Sequence, residues 1–294
     1  MPSDLTPWRR ELDRPAAVPP ERVVLVHCSA SSAKQWKPLT EEMTGFLSIP
    51  IDLRGHGNVN HWHGARPLSL SEEAAAILEA CPDAAPFHLV GHSYGGAVAL
   101  RFALNYPERL RSLTLIEPSC FHLLKGENGG ERLLEEIRAV AVAVNRGVIC
   151  GDYRSAMQTF IDYWSGAGTW ADLPDGKKTQ FAQLVLYIAH HFWSLIEEPT
   201  SPAAYAGVKV PTLILCGTCS PGPSRTIVRL LAEALPCARH CTVPDAGHMS
   251  PTTHPAEVNR FILEHLSKNG ARTDTRGREE NSAARSDGRS HAPA

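Results

Sequence analysis

Apolar residues along this chain gather into two kinds of short run. Continuous runs recur at Arg22-Val-Val-Leu-Val-His27, Phe46-Leu-Ser-Ile-Pro-Ile-Asp52, Phe87-His-Leu-Val90 and Ser112-Leu-Thr-Leu-Ile-Glu117, then over residues 208–216 and 239–243. Runs of this length without alternation predict strands buried on both faces of a parallel sheet. Helical spacing fills the gaps at 36–43, 70–79, 96–103, 226–235 and 256–267. Between 119 and 207 the rhythm breaks. That stretch holds three predicted helices (132–145, 153–164 and 177–196) and no strand, far beyond an ordinary connection. The pattern therefore predicts an α/β fold with a mostly parallel, doubly wound sheet and an inserted helical subdomain. Functional groups are expected on loops at the carboxyl ends of the strands.

The expected organisation is an irregular lead-in over 1–20, a core over 21–118 and 208–267, and the insertion over 119–207. Residues 268–294 are Arg, Asp, Ser, Gly and Ala with scarcely a bulky apolar side chain, and such a tail is expected to stay disordered. No internal repeat is visible.

Composition changes the picture by exclusion. With 294 residues, 43% hydrophobic and 20% charged, the chain has ample material for a core. A formal charge of −2 argues against nucleic acid or an anionic membrane surface as partner. No apolar run reaches the length of a membrane span. Arg9 and Arg10 lack the apolar stretch that would make them part of a secretion signal, so the expected location is the cytoplasm.

The eight cysteines then read as small core residues rather than a disulfide framework. Cys216 and Cys219 with Cys237 and Cys241 have zinc-like spacing, but Cys216 ends one strand while Cys237 precedes the next. Those positions lie at opposite ends of a parallel sheet, roughly 15 Å apart, so no structural metal is expected. His61 and His63 read as a solvated loop pair.

The chemistry concentrates at Phe87-His-Leu-Val-Gly-His-Ser-Tyr-Gly-Gly96, which reads as strand, sharp turn and helix with Ser93 at the apex. Bulky residues two positions either side of so tight a turn would clash with the flanking elements, which is why glycines stand at 91 and 95. The turn aims the Tyr94 N–H toward any anion forming beside Ser93. Far downstream, Pro244-Asp-Ala-Gly-His248 places a histidine on a loop after a strand, where it suits a general base for the serine.

At this point the chain resembles the α/β-hydrolase family over roughly residues 21–266. The matching pieces are Leu25-Val-His27, Asp52-Leu-Arg-Gly-His-Gly57, Gly91-His-Ser-Tyr-Gly95 and Ala246-Gly-His248. The resemblance implies Ser93 as nucleophile and His248 as base. It implies an oxyanion hole formed by the N–H groups of Tyr94 and Ser29, and a lid formed by residues 119–207. Three features depart from the pattern. His27 is followed by Cys28-Ser29 rather than glycine, little chain precedes Arg22 for opening antiparallel strands, and the expected acid after Gly217 is replaced by Thr218, Cys219 and Ser220. A Ser220 hydroxyl can hydrogen-bond but cannot supply the missing charge.

Glu117, at the end of the neighbouring strand and followed by Pro118, is the expected substitute acid. The competing reading of Glu117 is a partner for an arginine of the insertion. Asp245 is too near His248 to turn back on it, and Asp52 suits fixing the loop 54–57. The function expected is a cofactor-independent serine hydrolase of an ester or related acyl small molecule, with a mainly apolar pocket. Its candidate aromatics are Phe121, Phe160, Tyr163, Trp164, Trp170, Phe192 and Trp193. The alternative is a ligand-binding or signalling protein on this fold with vestigial hydrolysis. Nothing in the sequence speaks to oligomeric state.

Overall fold

A computed structural model describes residues 19–57 and 66–270. Residues 268 and 269 of the expected tail instead continue a helix that begins at Pro255; the tail beyond 270, most of the lead-in, and His61 and His63 lie outside the described residues. Among the described residues are six strands: β1 (Glu21–Val26), β2 (Phe46–Ile51), β3 (Phe87–His92), β4 (Leu110–Ile116), β5 (Thr212–Gly217) and β6 (Ala238–Val243). All pair in parallel in the order β2-β1-β3-β4-β5-β6. Around them run helices α1 (Lys37–Glu42), α2 (Leu70–Ala80), α3 (Tyr94–Asn105), α4 (Gly130–Cys150), α5 (Tyr153–Ser165), α6 (Asp175–Ala182), α7 (Val185–Ile196), α8 (Gly222–Ala234) and α9 (Pro255–Asn269).

The continuous apolar runs are explained by two cores. In β1, Val24 and Val26 face one core with α2 and α3, while Val23 and Leu25 face a second with Trp36, Leu39 and the α9 residues Val258 and Ile262. A strand covered on both faces has no use for alternating polar residues. The expected cysteine geometry also holds: Thr212 pairs with Ala238 and Cys216 with Thr242, so Cys237 lies at the opposite end of the sheet from Cys216.

All of α4 to α7 lies between β4 and β5. α4 is longer than its periodicity predicted and is bounded by Gly129 and Gly151, both at φ +73°. The single helix expected over 177–196 is two. α6 closes with Leu184 N–H on the Phe181 carbonyl (2.9 Å), and α7 starts afresh. α6 buries no residue, whereas α7 buries Ile188, Phe192 and Leu195, so the chain bends where its apolar stripe begins to find a core.

α2 begins at a capping box. The Ser69 hydroxyl accepts from Glu72 N–H (3.3 Å), and Ser69 N–H donates to the Glu72 carboxylate (2.9 Å). Its buried face carries Leu70, Ala74 and Ile77, but also Glu73, only 2% exposed. Burial pushes the Glu73 carboxyl up to about 7, against smaller opposing pulls from Arg54. A carboxyl whose folded value lies above its unfolded one stabilises the fold only while protonated. That contribution is complete below about pH 4.5 and is lost as pH rises through 7. Glu73→Gln should remove the loss, so thermal unfolding of wild type and variant should diverge between pH 5 and 8. The divergence should reach about 3 kcal/mol in the variant's favour. A constant difference across that range would contradict the assignment.

Candidate active site

β3 delivers the chain to Ser93, which sits at φ +55°, ψ −117° as the N-cap of α3. This is a costly conformation for a side chain with a Cβ, and it is held from several directions. Ser93 N–H donates to the Ile116 carbonyl (2.9 Å), while the Ser93 carbonyl accepts from Ala97 and Ser119 N–H. The glycines allow the approach. A Cβ on Gly91 would lie 2.4 Å from the Gly95 carbonyl oxygen, and one on Gly95 would lie 2.3 Å from that of His27.

The strand order brings three sequence-predicted residues together. His248 Nε2 lies 2.9 Å from Ser93 Oγ, and His248 Nδ1 lies 2.8 Å from Glu117 Oε2. A carboxylate facing Nδ1 places the imidazole proton there and leaves Nε2 to accept from the serine hydroxyl. Glu117 follows β4 at φ +42°, a second strained residue beside the first. Its other oxygen, Oε1, accepts from Gly217 N–H (2.8 Å) and the Ser220 hydroxyl (2.5 Å). Burial alone would raise the Glu117 carboxyl. The bond from His248 and the donors at Gly217 and Ser220 together hold it below the ordinary carboxylate value.

Glu117 thus turns to His248 rather than to an arginine of the insertion. Ser220, three residues past Gly217, supplies a donor to the carboxylate instead of a charge. Asp245 is exposed on a turn at φ +55°. The Asp52 carboxylate accepts from Ala33 N–H (2.7 Å) and lies against Gly57.

Ser29 and Tyr94 lie beside Ser93 but also form a second layer. The Ser29 hydroxyl is 2.8 Å from His191 Nδ1, and the His191 ring stacks on Tyr94 at 3.6 Å. Cys28 N–H is taken by Gln35 Oε1 (3.1 Å). The same amide donates from Nε2 to His92 Nδ1 (3.1 Å), and His92 Nε2–H donates to the His248 carbonyl (2.9 Å). Gln35 therefore ties the loop after β1 to the backbone of His248 through one imidazole. Burial pushes His92 and His27 down to about 3, which keeps both rings neutral. His27 Nε2 accepts from Leu53 N–H (3.0 Å) and Nδ1–H donates to the Cys28 carbonyl (2.7 Å).

Ser119, whose hydroxyl is 3.1 Å from Ser93 Oγ, escaped the sequence reading, as did Gln35. His92 stood inside the serine motif, so a signal for it existed. Gln35 had none.

Two spaces meet at Ser93. The larger, about 180 Å³, is bordered by His248, Phe160, Trp164, Leu173 and Phe181. The smaller, about 10 Å³, lies against Ser119, Phe121, His191, Phe192 and Leu195. Trp164 covers His248 with ring centres 4.2 Å apart. Of the remaining candidate aromatics, Trp170 is buried without lining either space, Tyr163 bonds Glu136, and Trp193 is 48% exposed. Among the described residues no group of three or more His, Cys, Asp or Glu is placed to hold a metal. No described helix is long and apolar enough to cross a membrane.

A doubly wound parallel sheet with a serine on the turn after a central strand, an acid after the adjacent strand and a histidine after the edge strand defines a class. The model of the alpha/beta hydrolase family matches residues 23–261, and the chain belongs to that family. It is 24% identical over 267 residues to the lipase LipV of Mycobacterium tuberculosis, covering 84% of this chain and 94% of that one. Among solved structures it resembles MGS-M2, an alpha/beta hydrolase enzyme from a Medee basin deep-sea metagenome library. There the TM-score is 0.72 at 16% identity, over 87% of this chain and 92% of that one. It also resembles the enol-lactonase of Burkholderia xenovorans LB400 (TM-score 0.66, 18% identity, 87% and 94% covered).

The bridge through Gln35 gives a measurable expectation. Gln35→Met keeps the volume but strips partners from Cys28 N–H and His92 Nδ1, each costing about 1–3 kcal/mol. Denaturant unfolding should show a loss of that order, and an unchanged midpoint would mean the amide is dispensable.

Proposed function

We propose that this protein is a cofactor-independent serine hydrolase of small, mainly apolar acyl compounds, acting through an acyl-enzyme. The observation that carries the reading is the buried line Ser93 Oγ–His248 Nε2 (2.9 Å) and His248 Nδ1–Glu117 Oε2 (2.8 Å), opening on an apolar chamber. His248 accepts the Ser93 proton as Oγ attacks the carbonyl carbon, and Glu117 stabilises the imidazolium that forms. The N–H groups of Ser29 and Tyr94 hold the oxyanion. His248 then returns its proton to the leaving group, and water releases the acid by the same route in reverse. The insertion carrying α4 to α7 acts as a lid, with Phe160 and Trp164 presenting apolar surface to the substrate. A cytoplasmic location fits this reading.

The strained backbone at both Ser93 and Glu117 supports catalysis over simple ligand binding, since strain of this kind persists where a site needs it. Ser93→Ala should abolish labelling by a fluorophosphonate and turnover of activated esters, with little change in melting temperature. Absence of labelling in the wild-type protein would favour the binding protein instead.

Glu117→Gln should lower kcat by roughly 10³–10⁴ with KM within a few-fold, because the amide cannot stabilise the imidazolium. Ser220→Ala removes one donor to the carboxylate and should cost no more than about tenfold. The reverse ranking would place the orienting role at Ser220.

A further inference from the structure

The two spaces around Ser93 are unequal, and the chemistry of the triad decides what each receives. This inference rests on the serine-hydrolase reading and deepens it. His248 must hand its proton to the leaving oxygen, so the alcohol lies on the side that His248 borders. That side is the chamber of about 180 Å³, whereas the recess of about 10 Å³ does not touch His248. Both spaces share Ser29, Ser93, Phe160 and Trp164, so a carbonyl at Ser93 has its alcohol in one and its acyl carbon chain in the other. Ten cubic ångströms holds one group the size of a water or a methyl. The larger chamber exceeds the roughly 150 Å³ that takes a benzene ring.

The walls of the recess are not soft. Phe121 stacks between Trp164 (6.1 Å) and Phe192 (6.2 Å), Phe160 meets Phe192 edge-on, and Phe121, Ile188, Phe192 and Leu195 are all nearly fully buried. A longer acyl chain would have to displace packed core. Neither space has a Lys, Arg, Asp or Glu on its wall, so neither part of the substrate is charged. We propose that the preferred substrates are neutral esters joining an acetyl-sized acid to a bulky apolar alcohol. The Ser93 Oγ–carbon bond forms as the carbon–oxygen bond to the alcohol breaks. The serine proton leaves on the alcohol by way of His248, and water then releases the short acid.

The test uses the full chain, p-nitrophenyl esters of rising acyl length, and benzyl against methyl acetate, whose alcohols have matching acidity. The expected kcat/KM falls by about 100-fold from acetate to hexanoate, and benzyl acetate exceeds methyl acetate at least tenfold. Phe192→Ala, or the milder Ile188→Val if that variant fails to fold, should raise the hexanoate-to-acetate ratio, by tenfold or more for Phe192→Ala. Equal or better turnover of hexanoate, or of methyl acetate, by the wild type overturns the assignment. A protein that a fluorophosphonate labels at Ser93 but that cleaves none of these esters overturns it too, while leaving the serine nucleophile intact. A protein that is not labelled loses the underlying reading and this one with it.

Discussion

The constraint on which the site depends is the closeness of two backbones. The turn after β3 passes so near the end of β1 that Gly95 has no room for a methyl group against Val26 and His27. The same turn holds Ser93 at a positive φ. Only a rigid parallel sheet, buried on both faces by separate cores, can hold such a turn without relaxing it. The strain is local, and the compensation is spread over the sheet.

The second dependency is electrostatic. Glu117 is a carboxylate almost without exposure, and an isolated charge there would be very costly. It survives because His248, Gly217 and Ser220 together give each oxygen a donor. Two further imidazoles, His27 and His92, are neutral structural members that pin the surrounding backbones. Five buried histidines near one serine thus divide into one facing it, two that orient loops, and two, His56 and His191, stacked beside Tyr94. The division follows from which ring faces a carboxylate and which faces carbonyls, amides, the Ser29 hydroxyl or other rings.

The insertion shapes the space that remains. α5 brings Phe160 and Trp164 to both spaces, whereas α6 adds Phe181 to the large chamber and α7 adds Phe192 to the small recess. Aromatics that looked interchangeable in sequence separate into lining, insertion core and surface.

Much of this was legible before any coordinates. Unbroken apolar runs such as Val23 to Val26 dictate a doubly covered parallel strand, and Gly91-x-Ser93-x-Gly95 dictates the turn, because both are local in the chain. The helical period over 177–196 predicts one helix; its break at Gln183 and Leu184 depends on where the core lies, which no local period encodes. The pairing of His248 with Glu117, 131 residues apart, could be anticipated only through the strand order, whereas nearness in the chain was enough to reject Asp245. Gln35, Ser119, the donor at Ser220 and the unequal spaces around Ser93 belong to the tertiary structure alone. Their positions are set by long-range packing of β1, β3, β4 and the insertion, and a side chain that acts by bridging distant segments leaves no periodicity behind.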